Sequence, residues 1–138
     1  MKLFIPTLLL TTMAFSAPSV ASKGTPLALD TVVGRYSCAF TEVYQDETFT
    51  YPDFRCEIKQ QGDAFTLEKT SGSQRFRGKI TATDDGFSFN GIFFCPAGAC
   101  TSDLTGEYKR TGKHHFEGRI YDPNAPEPFR IVDLKRIQ

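Results

Sequence analysis

From residue 32 onward, apolar and polar side chains alternate with period 2, and no stretch sustains the 3.6 period of an amphipathic helix. Val32, Gly34, Tyr36, Cys38 and Phe40 form one face of the first run, with Arg35, Ser37 and Thr41 on the other. Phe54, Cys56 and Ile58 alternate with Arg55, Glu57 and Lys59 in the second. Gln61-Gly62-Asp63 turns the chain into Phe65-Thr66-Leu67, and Ser71-Gly72-Ser73 turns it into Phe76, Gly78 and Ile80. Asp84-Asp85-Gly86 is a hairpin signal ahead of Phe87, Phe89, Gly91 and Phe93. Leu104, Gly106 and Tyr108 follow, then Phe116, Gly118 and Ile120 after Thr111-Gly112-Lys113. The proline-rich run 122–128 reads as a stiff surface loop. In the last run, Phe129 to Ile137, the apolar parity changes between Ile131 and Val132, which predicts a bulge.

About eight short strands joined by short turns make an all-β antiparallel meander. Apolar-x-Gly-x-apolar recurs five times, around Gly34, Gly78, Gly91, Gly106 and Gly118, always with the glycine on the apolar face. Glycine weakens a strand, so its repeated use calls for a geometric reason. Missing inward side chains let a sheet coil, with neighbouring rings covering the gaps, and this favours a closed barrel.

The first 21 residues change the picture of where this barrel works. Lys2, the apolar run Leu3 to Phe15, and small residues at Ser19 and Ala21 read as a secretory signal peptide cut before Ser22. The apolar run is shorter than the ~20 residues a membrane-spanning helix needs. No cysteine precedes Cys38, so the anchor site of a lipoprotein is missing. The organisation predicted is a signal peptide at 1–21, a flexible segment at 22–31 and a barrel over 32–138, periplasmic or secreted, with no membrane insertion after cleavage. Loss of Lys2 shifts the formal charge from zero to about −1, which gives no footprint for nucleic acid.

Export makes the four cysteines disulfide candidates. Cys38 and Cys56 share the inward face of consecutive strands, and Cys95 and Cys100 can close a ring around Pro96-Ala97-Gly98-Ala99. This pairing is favoured, while linkage of Cys38 to Cys95 or Cys100 stays open. A redox pair would use Cys-x-x-Cys at a helix start. A zinc site would need more converging ligands than His114 and His115, which as strand neighbours point to opposite faces. No cofactor, metal site or catalytic arrangement is expected, and the chain reads as a non-enzyme.

The opening Gly34-Arg35-Tyr36 followed by an eight-strand meander resembles the calycin superfamily of lipocalin-like barrels. Those proteins begin with Gly-x-Trp, and an arginine near the last strand packs over the tryptophan. The resemblance places Tyr36 in the tryptophan position and Arg130 or Arg136 as its cover, in a chain with no Trp. It implies a barrel mouth that takes a small apolar molecule. On that basis Tyr36, Phe76, Phe89 and Phe116 are the candidate pocket residues of an exported non-catalytic binding protein. The alternative is a protein-interaction or inhibitor module presenting the Cys95–Cys100 loop to another exported protein. Its contact residues would be Ile92, Phe94 and Pro96, with Ile92 and Phe94 forming an exposed outer patch beside the ring.

Overall fold

In a computed structural model, which describes residues 25–137, the alternating runs close into one eight-stranded barrel. The strands are β1 (Gly34–Tyr44), β2 (Glu47–Gln61), β3 (Ala64–Lys69), β4 (Arg75–Ala82), β5 (Gly86–Phe94), β6 (Thr101–Gly112), β7 (His115–Asp122) and β8 (Ala125–Arg136). Each pairs antiparallel with the next, and β8 returns to β1, so no edge is left unpaired. The signal peptide expected at 1–21 lies outside the described residues. Part of the segment expected to be flexible is packed: Leu27 and Leu29 lie against the core, and Leu29–Val32 form a short 3-10 helix. Val32 therefore ends this helix with its side chain buried and does not open the first strand.

The inward glycines fit side chains across the barrel wall. Register sets Gly106 between Phe89 and Ile120, and Gly118 between Tyr108 and Val132. At Gly118 the Tyr108 ring covers the backbone so closely that a Cβ would fall 2.3 Å from two of its carbons. Tyr108 in turn stacks on Phe87, with ring centroids 4.7 Å apart. Gly118 thus makes space for a ring that fills the interior, while at Gly78, Gly91 and Gly106 a Cβ would crowd the backbone of the neighbouring strand.

The two ends of the barrel differ. At one end the 3-10 helix closes the floor. The Tyr36 hydroxyl donates to the Val32 carbonyl at 2.6 Å, and Arg136 donates to the carbonyls of Thr31 and Val33 at 3.2 and 3.0 Å. Tyr36, Phe87, Phe89, Tyr108 and Phe116 pack this half with almost no exposure. The other end carries the β1–β2 turn, the β3–β4 loop, the cysteine ring between β5 and β6, and the β7–β8 turn. Both disulfides of the favoured pairing are present, Cys38–Cys56 inside the barrel and Cys95–Cys100 at this second end.

Two expectations for β8 are corrected. Residues 125–128 belong to the strand. Pro126 and Pro128 sit in the register break between Ile120↔Arg130 and Asp122↔Ala125, where a missing N–H interrupts no regular ladder. Nor is there a bulge between Ile131 and Val132, since pairing with β1 runs unbroken from Phe129 to Arg136. The parity change arises because Arg130 takes the inward position, while Phe129 turns outward beneath the Arg119 guanidinium, 3.6 Å from its ring centre.

Candidate functional site

The open end holds a cavity of about 290 Å³. Its deep wall is apolar: Phe76, Leu104 and Ile120 are buried core residues that also face the cavity, with Phe93 beside them. Phe40 and Phe54 form a second wall, their rings edge to face at 5.7 Å. The sequence-derived pocket set is therefore corrected. Phe76 lines the cavity, but Tyr36, Phe89 and Phe116 do not, because they fill the closed half. Phe89 only backs the wall, its ring 5.5 Å from that of Phe76.

Polar groups enter this cavity from inward positions of three strands. Glu42 follows Phe40 on the inner face of β1, and Arg130 precedes Val132 on the inner face of β8. The pair Glu42↔Arg130 lies in direct register, with Arg130 Nη2 3.4 Å from Glu42 Oε1. The other carboxylate oxygen of Glu42 accepts the Tyr51 hydroxyl at 3.1 Å, and this acceptor holds the phenol above its ordinary pKa. Glu42 is thus engaged on both oxygens.

Lys69 ends β3 and follows the inward Leu67 at the same parity. It is 6% exposed, the one buried charged residue among those described. Its ammonium lies 3.8 Å from the Phe54 ring centre and 5.4 Å from that of Phe40, and it donates to the Gln74 carbonyl. The β3–β4 loop folds over it through Gly72, at φ +86°, where a Cβ would come within 2.9 Å of Nζ. Arg55 and Ser71 pin this loop through a 2.9 Å backbone-to-hydroxyl bond. Burial, and then the nearby Arg75 charge, lower the Lys69 pKa from 10.5 to about 8.

Beyond the cavity the β1–β2 hairpin continues as a lip. Cross-strand partners share a face, and Phe49 opposes Glu42 while Tyr51 opposes Phe40. Tyr44 and Phe49, each 52% exposed, therefore extend the inner wall above the mouth.

The cysteine ring stands beside this mouth. Cys95 donates to the Cys100 carbonyl and Gly98 to the Cys95 carbonyl, at 2.9 and 2.8 Å, and Pro96 is exposed. Ile92 and Phe94 face outward from β5 but are half-buried, and Arg77 covers the Phe94 ring at 5.0 Å. The exposed patch expected there is shielded by a cation drawn from the neighbouring strand. The histidines do not meet: His114 is exposed, and His115 contacts Asp133 on the outer wall. Among the described residues no three potential metal ligands converge, and no helix is long and apolar enough to cross a membrane.

Reading from sequence missed Glu42, Tyr51 and Lys69 as site residues, and it offered Arg130 as a cover for Tyr36 where the structure puts it in the mouth. A signal was available: each charged member sits at an inward parity position next to a buried apolar neighbour. No curated protein matches the chain. The model of one family, described as a Domain of unknown function (DUF4893), matches residues 17–89. That match takes in β1 to β4 and so contributes Glu42, Tyr51, Lys69 and Phe76 to the mouth. It spans more than half of the 138 residues, and the chain belongs to this family of unknown function.

Proposed function

We propose that this is an exported, non-catalytic carrier whose lipocalin-like barrel holds a small, mainly apolar ligand in its open mouth. The observation that carries the reading is the roughly 290 Å³ cavity, with a wall of Phe76, Phe93, Leu104 and Ile120 and a few polar groups at its rim. A concave, mostly apolar site with a small number of placed polar groups is the usual form of a small-molecule site. At interior packing density the space suits a ligand of roughly a dozen non-hydrogen atoms. The calycin-type reading draws support from Arg136, which holds the 3-10 helix beside Tyr36 at the closed end. Arg130, the other candidate cover, points into the mouth instead. Export is supported by two disulfides, which persist in oxidising compartments.

The test is native mass spectrometry of protein purified from its own exported fraction, followed by organic extraction. Retention of a small apolar molecule, released by extraction, is the expected result. Bare protein whose mouth residues respond to no apolar probe would overturn the reading. A second reading, docking of another protein on the Cys95–Cys100 ring, draws on the exposed residues 96–99 held between two strands. Capture of a defined protein partner lost on Pro96→Ala, with no small molecule retained, would favour it.

A further inference from the structure

Charge in the mouth does not balance. Arg130 is matched by Glu42, whose second oxygen is taken by Tyr51. Lys69 has no carboxylate within ion-pair distance among the described residues, although it is buried and lines the same cavity. An ammonium carries three donors, and among the described residues this one donates to a single carbonyl. Buried charges are ordinarily paired, because desolvation costs more than aromatic faces and a single carbonyl return. A barrel selected for stability alone would place an apolar side chain after Leu67. Arg75, whose charge acts on Lys69, has the same sign and does not compensate it.

We infer that the ligand of this mouth is a monoanionic amphiphile, its carboxylate paired with Lys69 and its apolar body laid on Phe76, Phe93, Leu104 and Ile120. This rests on the reading that the cavity takes a small ligand at all. The arrangement sets polarity as well as class. Lys69 lies under the β3–β4 loop at the open end, while the apolar wall runs toward the packed half. The head group therefore sits near the rim and the tail points inward. A cationic ligand is disfavoured, since Glu42, the one acidic residue lining the cavity among those described, is already bonded on both oxygens.

The experiment compares three probes with one eight-carbon tail: octanoate, 1-octanol and octylammonium. Binding is followed by amide and methyl NMR shifts of the intact, oxidised protein at low ionic strength. Octanoate should bind at least tenfold more tightly than octanol, and octylammonium most weakly. Lys69→Met should bring octanoate to the level of octanol while octanol binding persists, and Lys69→Arg should keep the preference. In wild-type protein the octanoate preference should decline as pH rises past about 8, and octanol affinity should stay flat. The pH series decides the matter even if a Lys69 variant does not fold. Equal binding of octanoate and octanol, tightest binding of octylammonium, a preference that survives Lys69→Met, or one constant to pH 10 would each overturn the inference while leaving the cavity reading intact. If none of the three shifts residues at the mouth, both fall.

Discussion

Gly118→Ala should be among the most damaging one-carbon additions in this protein, and the geometry gives its size. The added Cβ would lie 2.3 Å from Tyr108 Cδ1 and Cε1 and 2.7 Å from Cγ. Carbon–carbon contacts settle near 3.5–4.0 Å, so the ring would have to retreat by more than ~1 Å. It has nowhere to go. Phe87 stacks on Tyr108 at 4.7 Å and an 18° interplanar angle, and Phe87 itself rests on Phe116 at 5.2 Å. All three rings are fully buried. Overpacking costs typically 1–3 kcal/mol, and the absence of slack puts this case at about 3 kcal/mol. For a domain of this size that corresponds to roughly 10 °C in Tm. The assay is urea unfolding of the oxidised protein followed by far-UV circular dichroism, with Gly62→Ala as reference. Gly62 has φ +61° and nothing within 4 Å, so its replacement should cost only about 1 kcal/mol through backbone strain. In a Tyr108→Ala background, Gly118→Ala should lose most of its penalty, giving a coupling of at least ~1.5 kcal/mol. If Gly118→Ala costs no more than Gly62→Ala, or costs the same with Tyr108 truncated, then the Tyr108 ring does not explain the glycine at 118.

Other outcomes follow from single groups. The Tyr108 hydroxyl is buried with no hydrogen-bond partner among the described residues, so Tyr108→Phe should raise stability by about 1 kcal/mol in the same unfolding assay. Opening Cys38–Cys56 by paired serine substitution should cost about 3 kcal/mol, against about 2 kcal/mol for Cys95–Cys100, because the loops span 18 and 5 residues. Arg136→Met should release the carbonyls of Thr31 and Val33, seen as faster amide exchange over residues 27–33 and a loss of roughly 1–2 kcal/mol. The folded-state pKa of Lys69, about 8, lies below its ordinary 10.5, so the cost of its buried charge is carried below pH 8. Ligand-free stability should rise as pH goes from 8 to 10.5, when the unfolded chain binds the extra proton. Lys69→Met should flatten that rise and add about 1 kcal/mol at pH 7, a value discounted for solvent at the open mouth.

Strand number, closure and the favoured disulfides were legible because they depend on which face a residue takes, and period-2 alternation reports that directly. Depth along the barrel axis was not legible. Tyr36, Phe76, Phe89 and Phe116 share the inward face, yet only Phe76 reaches the cavity. Stagger between strands and the placement of the 3-10 helix decide which inward side chains are sealed into the floor, and neither leaves a local pattern. The charged site residues were missed for a different reason. Arg130 was read as a possible cover for Tyr36 and not as a mouth residue, and the parity change from Ile131 to Val132 was read as a bulge. Strand pairing without a bulge turns that arginine inward and leaves Phe129 outside under Arg119.

Glu42, Lys69 and Arg130 obey one rule: each occupies an inward strand position next to a buried apolar residue, at the end of the barrel the 3-10 helix does not close. In a fully packed barrel these positions would be apolar, as their counterparts in the closed half are. The break in apolar alternation thus marks where packing stops and the cavity begins. Two of the three charges cancel in register across the β1–β8 seam, so that pair can be understood as structure alone. The third cannot, because replacing Lys69 by a methionine of similar length would relieve a desolvation cost and break no ion pair among the described residues. A side chain that the fold would be more stable without is held there for something other than the fold. In this cavity the compensating partner left to supply is an anion, which ties the stability gain of Lys69→Met to the loss of octanoate preference in the same variant.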